Sequence, residues 1–120
     1  MINRKVLQFV LRDDIIIKKE VGKNSMQFEW DDEKDKKNVA KHGIQFRTAI
    51  LVFSDPCRIE KYDDAHSLNE DRYLTIGEIG GTFMVVTVVY TERPEAIRII
   101  SARQATKREK EEYYDYKNVD

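Results

Sequence analysis

The alternation of apolar and polar residues predicts a run of β-strands in the second half of the chain. Residues 72–78 and 96–102 alternate, whereas residues 83–90 are nearly continuous in apolar side chains. Alternation indicates a strand with two different faces, and a continuous apolar run is typical of a central strand covered on both faces. With an edge strand over residues 58–62 and a hairpin turn at Gly80-Gly81, the pattern predicts a four-stranded antiparallel sheet.

Two further segments carry the signals of helix ends. Asp31 is a suitable N-cap for a helix that ends at Gly43, with acidic residues in its first turn and lysines near its end. The apolar face of this helix is poor, so we expect it to lie on the surface and to dock largely through Trp30. A final helix begins in a capping box formed by Thr106 and Glu109.

Another helix, over residues 45–54, is predicted by apolar residues at positions i, i+3, i+4 and i+7. They are Phe46, Ala49, Ile50 and Phe53, and Asp55-Pro56 ends the helix. The predicted order of elements is therefore a short edge strand over residues 26–31, two N-terminal helices, a four-stranded antiparallel sheet and a C-terminal helix. Elements in this order form an α+β layer fold.

Residues 1–25 allow two interpretations. Their apolar stretches, residues 6–11 and 15–21, could pair as an extra hairpin, or the whole segment could be a flexible leader. Residues 22–25 have the composition of a linker, so we favour the leader. The expected organisation is an N-terminal extension over residues 1–25 and one domain over residues 26–120, since a domain usually holds about 100–150 residues.

Composition excludes several classes of protein. The 120 residues are 41% hydrophobic and 36% charged, which suits one compact domain with a strongly charged surface. Cys57 is the only cysteine, so no internal disulfide can form, and a reducing cytoplasm is the expected location. No segment approaches the ~20 apolar residues of a transmembrane helix, and we expect no membrane contact.

Charge is distributed unevenly along the chain. The net charge is −1, but residues 1–25 carry six basic and three acidic groups, which leaves −4 for residues 26–120. Residues 98–110 hold five basic groups against Glu109 alone. A basic site on an acidic body indicates one phosphate-binding groove and not a protein coated for nonspecific DNA binding.

Six short motifs occur in order along the chain. They are Phe28-Glu29-Trp30-Asp31, Lys41-His42-Gly43, Val52-Phe53-x-Asp55-Pro56, Glu70-x-Arg72-Tyr73-Leu74-x-Ile76-Gly77, Val88-Val89-Tyr90-Thr91-Glu92 and Arg98-Ile-Ile-Ser-Ala-Arg103. In this order and spacing they resemble the BrnT family, the ribonuclease toxins of type II toxin–antitoxin modules, over residues 26–116. The resemblance implies a fold similar to RelE-type toxins and a metal-independent endoribonuclease that inhibits translation. It also implies a BrnA-like antitoxin as partner, a heterotetramer being one form of the complex, with DNA bound only through the antitoxin.

RNA cleavage without a metal requires stabilisation of the charged phosphorane and proton transfer at two oxygens. Arginine suits the first task because its planar guanidinium grips two oxygens at once. The predicted catalytic residues, all within the family's motifs, are Arg98, Arg103, Arg72 and, as general acid or base, His42. On a regular strand Arg98 and Arg103 would face opposite ways, so both can serve one site only if the chain bends near Ser101.

Each of these residues also has a structural interpretation. Arg98 and Arg72 could each form an ion pair with a nearby carboxylate, and His42 could simply cap the C-terminus of its helix. The candidate carboxylates are Glu78 and Glu92 for Arg98, and Glu70 and Asp71 for Arg72.

Four further residues are predicted to contact RNA: Lys41, Tyr90, Lys107 and Arg108. Tyr90 ends the central strand and could stack on a base, with an ordinary core role as the alternative. The loop of residues 63–71 is acidic and contains His66, which suggests a metal site, but its spacing matches no calcium or zinc motif. We therefore predict no metal and no cofactor.

A second class of function stays open, namely a catalytically inactive module kept for antitoxin binding and operon autoregulation. The retained arginines and His42 argue against this alternative. A free-standing RNA-binding protein would require a more basic body than −4 for residues 26–120. Three tyrosines in the last helix predict an antitoxin interface, the alternative being that they pin the helix to its own sheet. They are Tyr113, Tyr114 and Tyr116.

Overall fold

The computed structural model describes the backbone of residues 6–12, 15–21 and 26–119, and the side chains of residues 26–119. The elements in chain order are β1 (Val6–Arg12), β2 (Ile15–Val21), β3 (Met26–Asp31), α1 (Asp32–His42), α2 (Phe46–Ala49), a 3-10 helix (Ile50–Ser54), β4 (Ile59–Tyr62), a 3-10 turn (Asp64–His66), β5 (Tyr73–Ile79), β6 (Met84–Glu92), β7 (Ile97–Gln104) and α3 (Lys107–Lys117). The strands form one mixed sheet in the order β1-β2-β3-β7-β6-β5-β4. The predicted α+β class is confirmed.

The four predicted strands are present, but they form only part of this sheet. Strands β4 to β7 pair antiparallel in sequence order, as expected. The sheet continues beyond β7, however, because β3 pairs parallel with it through Phe28 and Glu29. The sequence pattern missed this pairing, since the period of one strand predicts its faces and not its neighbour.

Three strands therefore precede the two predicted helices. The strand predicted over residues 26–31 is β3, although it lies inside the sheet and not at its edge. Strands β1 and β2 form an antiparallel hairpin, and β2 pairs antiparallel with β3. Of the two interpretations of this segment, the hairpin is the one that the structure contains. The predicted linker, residues 22–25, lies outside the described residues, and the division into an extension and a domain stays a prediction.

Each face of the sheet has its own covering. The core face carries Val86, Val88 and Tyr90 of β6, all buried. It packs against the predicted apolar stripe of residues 46–53, whose four members are buried as expected. The helix itself is shorter than predicted, because α2 ends at Ala49 and continues as the 3-10 helix.

Helix α1 begins and ends as predicted but docks differently. The Asp31 side chain accepts hydrogen bonds from two amides of the first turn, and Gly43 ends the helix with a φ of 72°. Trp30 packs edge-on against Phe46 of α2. Buried Asn38 instead anchors α1, because it donates to the Ala102 carbonyl at 2.8 Å and accepts from the Ala102 amide at 3.1 Å.

The opposite face of the sheet is covered only at one end, and we call it the open face. Helix α3 begins in the predicted capping box and packs over Ile76 and Val85. Tyr113 is fully buried there, and its hydroxyl donates to Asp55 at 2.6 Å. Tyr114 is half-buried and Tyr116 is exposed, so one of the three tyrosines pins the helix and one faces solvent.

Candidate functional site

A row of four side chains crosses the uncovered part of the open face. Lys61, Leu74, Val89 and Ser101 stand opposite one another on β4, β5, β6 and β7. Leu74, Val89 and Ser101 are half-buried although they lie on inner strands, and Lys61 is exposed. We call this row the open strip. Among the described residues, α3 reaches this row only at its β4 end, where Lys61 forms an ion pair with Glu112, and the half-buried Leu74, Val89 and Ser101 are open to a ligand.

A β-bulge in β7 places two arginines on either side of the open strip. Thr91 stands opposite Arg98 and Thr87 opposite Arg103, but the register between Val89 and Tyr90 shifts. One extra residue of β7, Ile100, is left without an opposite residue. Arg98 and Arg103 therefore share the open face despite their odd separation, because the bulge meets the condition of a bend near Ser101.

Arg103 is held on the α3 side of the strip by Glu109. The two guanidinium nitrogens donate to the two carboxylate oxygens of Glu109 at 2.7 and 3.0 Å. Glu109 also accepts from the Thr106 amide and the Thr87 hydroxyl. Burial alone would raise the pKa of Glu109, but these hydrogen bonds outweigh it and lower the pKa to about 2.

Arg98 lies on the other side of the strip and pairs with Glu29 of β3. The nearest nitrogen and oxygen are 3.7 Å apart, an ion pair without a hydrogen bond. This partner is neither of the two carboxylates considered from the sequence, since Glu78 instead contacts Lys117. A loose pair of this kind leaves guanidinium donors available to an incoming phosphate.

Arg72 adds a third guanidinium at the start of β5. Two residues before Leu74, it falls on the open face by strand alternation. Glu70, a partner considered from the sequence, is bound by Arg93 at 2.7 Å. That hydrogen bond lowers the pKa of Glu70 most, and the charges of Arg72 and Arg98 lower it further. Within residues 26–119 the Arg72 guanidinium has no ion-pair partner, and its Nε is buried without a hydrogen bond.

Comparison with protein-family models gives a match over residues 30–109 to the ribonuclease toxin, BrnT, of type II toxin–antitoxin systems. The chain belongs to the BrnT family. The matched segment includes Arg72, Arg98 and Arg103 together with Glu109. A comparison with curated proteins found no match. Membership in the BrnT family implies action on RNA and an antitoxin partner.

The other predicted site residues of this BrnT chain do not line the strip. Tyr90 is buried on the core face, where its hydroxyl donates to Glu60, and burial together with this contact raises its pKa. Lys107 and Arg108 are exposed in the first turn of α3, directly before Glu109. Their RNA contacts, and that of Tyr90, stay predictions.

Lys41 and His42 end helix α1, which binds the C-terminal half of β7 through Asn38. His42 lies one turn after Asn38, which binds the Ala102 backbone, so it occupies the same helix side. Lys41 is exposed and His42 half-buried. The roles of both residues in the BrnT chain stay predictions.

The acidic loop after β4 makes specific side-chain contacts. Asp63 binds His66, Glu70 binds Arg93, and Asp71 accepts from Tyr62. Within residues 26–119 no group of three or more His, Cys, Asp and Glu side chains is arranged to hold a metal ion. Of the helices in that range, none has the length and apolar content to span a membrane.

Sequence reasoning missed the roles of four side chains that shape this BrnT site: Asn38, Glu29, Asp63 and His66. Glu109 was recognised only as a helix cap, although it is also the partner of Arg103. The contact between Arg103 and Glu109 could have been suspected from the sequence, because the two residues lie on either side of the start of α3. The contact between Arg98 and Glu29 could not, since Glu29 precedes Arg98 by 69 positions in the sequence.

Proposed function

We propose that this BrnT chain is an endoribonuclease toxin that binds RNA along the open strip and cleaves it without a metal. The observation that carries the proposal is the β-bulge at Ile100, which sets Arg98 and Arg103 on one uncovered face. Two guanidinium groups on rigid strands match the arrangement that a scissile phosphate needs. Arg72 adds a third on the same face, since Thr91 stands opposite Arg98 and donates to the carbonyl of the residue before Arg72.

The chemistry follows from the charge that develops during cleavage. The 2′-oxygen of the RNA attacks phosphorus, and the 5′-oxygen leaves as the 2′,3′-cyclic phosphate forms. Negative charge grows on the phosphorane oxygens, and donors already in place stabilise it without reorganisation. Arg98 is the group best able to bind these oxygens, because its pair with Glu29 is loose. Arg103 is more firmly held by Glu109 and would offer its remaining donors to the same phosphorane.

Cleavage of messenger RNA would inhibit translation, and a BrnA-like antitoxin would neutralise the toxin. The chemistry of the strip supports a partner that covers it with carboxylates. The exposed ring of Tyr116 on α3 is a candidate anchor for the same partner. Tyr116→Ala should weaken antitoxin binding measured by calorimetry, with Leu68→Ala, an exposed apolar residue in the loop after β4, as the control.

The central experiment measures cleavage of a reporter messenger RNA, with and without ribosomes, in EDTA. Arg98→Ala and Arg103→Ala should each cut more slowly by about a hundredfold or more, because loss of one donor to a transition state costs about 3–4 kcal/mol. Arg47→Ala, an exposed arginine on α2, is the matched control. Full activity of both variants would exclude the open strip, and loss of wild-type cleavage in EDTA would show a need for metal.

One observation favours the alternative of an inactive binding module. Arg98 and Arg103 both have carboxylate partners, which is also what purely structural arginines show. Under this alternative the wild-type chain binds its antitoxin but leaves the reporter RNA intact in every condition. The same assay therefore separates the two functions.

A further inference from the structure

The loop between β4 and β5 is closed at its neck by backbone and hydroxyl contacts. The Asp63 amide donates to the Arg72 carbonyl at 2.9 Å. The Ser67 hydroxyl donates to the Asp63 carbonyl at 2.6 Å and accepts from the Arg72 amide at 2.9 Å. These contacts fix both ends of the loop relative to β5. The side chains at the neck are therefore held in place by the sheet.

Within this loop a carboxylate orients a histidine ring. Nδ1 of His66 lies 3.0 and 3.2 Å from the two carboxylate oxygens of Asp63. The Asp63 side chain is only 12% exposed, whereas the His66 side chain is 69% exposed. A largely buried carboxylate that accepts from Nδ1–H fixes the tautomer in which Nε2 can accept a proton. Nε2 forms no hydrogen bond within residues 26–119, so it is available to a ligand.

The same pair lies at one end of the open strip. Asp63 lies two residues after Lys61 of the strip. Its amide donates to the carbonyl of Arg72, which lies two residues before Leu74 of the strip. Strand alternation thus sets Asp63 and Arg72 side by side on the open face.

We propose that His66, oriented by Asp63, is the general base of the RNA cleavage assigned to the open strip. Nε2 accepts the proton of the 2′-hydroxyl as the 2′-oxygen forms its bond to phosphorus. The bond from phosphorus to the 5′-oxygen breaks, and that oxygen takes a proton from solvent, which the open face admits. Asp63 is a positioning residue, since it acts on the ring and not on RNA. The proposal rests on the proposed ribonuclease function.

His42 is the competing candidate for this step. It is half-buried at the end of α1, and among the described residues no carboxylate orients its ring. His66 has both the orienting carboxylate and the exposure that access to RNA requires. Asp63, which orients the His66 ring, is also bound through its amide to the Arg72 carbonyl. Arg72 has no ion-pair partner among the described residues and can bind the phosphate next to the attacked hydroxyl.

The test is cleavage of the reporter messenger RNA by the full chain carrying His66→Gln, His66→Gly, Asp63→Asn or His42→Gln. We expect kcat to fall by about a hundredfold or more in both His66 variants, with KM unchanged, because a positioned general base contributes about that much. Added imidazole should restore part of the activity of His66→Gly alone. Asp63→Asn should lower kcat about tenfold at constant KM, whereas Asp64→Asn, the exposed neighbour, should cut like the wild type.

Two outcomes would overturn the assignment while the ribonuclease function stands. One is a His66→Gln variant that cuts within twofold of wild type, above all if His42→Gln is inactive. The other is loss of activity in His66→Gly that imidazole does not restore, which would make His66 a binding residue. A wild-type chain that leaves RNA intact, with and without ribosomes, would instead refute the proposed function and the assignment with it.

Discussion

The core face and the open face of the sheet alternate along the same strand, yet they are built for different tasks. On β6, Val88 is fully buried under the α2 segment, and its neighbour Val89 is half-buried in the open strip. The core face gains its stability from apolar packing. The open face holds charged and hydroxyl groups that are bound to one another, as Thr87 is to Glu109 and Thr91 to the Asp71 carbonyl.

The difference shows how one strand can serve both folding and binding. An apolar run of β6 first indicated a strand covered on both faces, but α3 covers the open face at the end that holds Ile76 and Val85. The remaining apolar floor is flanked by Arg98 and Arg103. Charged groups around an uncovered apolar strip are what a nucleic-acid site combines, because bases stack on apolar surface while phosphates need cations.

The largest effect should come from a charge placed on the core face. Val88→Asp would bury a carboxylate that has no partner, and an uncompensated buried charge costs about 3–5 kcal/mol. We expect the variant to be largely unfolded or to lose most of its free energy of unfolding in urea titration. A variant with wild-type stability would mean that water reaches the core face, so that the two faces of the sheet do not differ in burial as described.

The same substitution one residue later should spare the fold and remove activity. Val89→Asp would set a carboxylate between Arg98 and Arg103, where it repels the phosphate, and we expect RNA cleavage to fall about a hundredfold, or about 2.7 kcal/mol. Val89→Asn, which has the same shape without the charge, should retain most of the activity. Equal cleavage by the two variants would place the RNA elsewhere; urea titration checks that both are folded.

A smaller effect is expected at the anchor of α1. Asn38→Ala removes both hydrogen bonds to the Ala102 backbone and the bond to the Ile44 carbonyl. The free energy of unfolding should fall by about 2 kcal/mol, since buried backbone groups lose their partners. Val39→Ala, exposed on the same helix, is the control and should change stability by less than about 0.5 kcal/mol. Equal stability of the two variants would contradict the anchoring role.

The smallest effect concerns Glu109 on the open face and its contribution to the stability of the fold at low pH. The folded-state pKa of Glu109 is lowered from 4.5 to about 2, so its ionised form stabilises the fold fully above about pH 4.5. That contribution, on the order of 1 kcal/mol for a partly buried group, is lost as the pH falls towards 2. Glu109→Gln should therefore show a smaller drop in melting temperature between pH 5 and pH 2.5. A parallel drop in both proteins would show that Asp55, whose pKa is also lowered, dominates.

Local signals in the sequence were reliable where the physics is local. The caps at Asp31, Gly43 and Thr106 depend on the residue and its nearest amides, and all three form as predicted. The apolar stripe of residues 46–53 is buried as expected, because a helix face is fixed by spacing alone. Helix length was less predictable, since the change to a 3-10 turn at Ile50 depends on the packing around it.

The arginines of the candidate site could be predicted from the sequence, but their partners could not. The arginines could be identified from their motifs, and the need for a bend near Ser101 followed from strand geometry. Their partners could not, because Glu29 reaches Arg98 through a parallel pairing between distant segments. In the sequence His66 is only one residue of an acidic loop. Its proposed role depends on the way in which Ser67 and Arg72 close that loop.

The sequence by itself determined the elements, their caps, the stripe that builds the core and the family to which the chain belongs. Only the tertiary structure decided that β3 lies beside β7, that the bulge at Ile100 turns Arg98 and Arg103 to one face, and which carboxylates hold them. The physical reason is that periodicity and capping are set by covalent neighbours within a few residues. Strand neighbours, bulges and ion pairs are set by contacts between segments that the whole fold brings together.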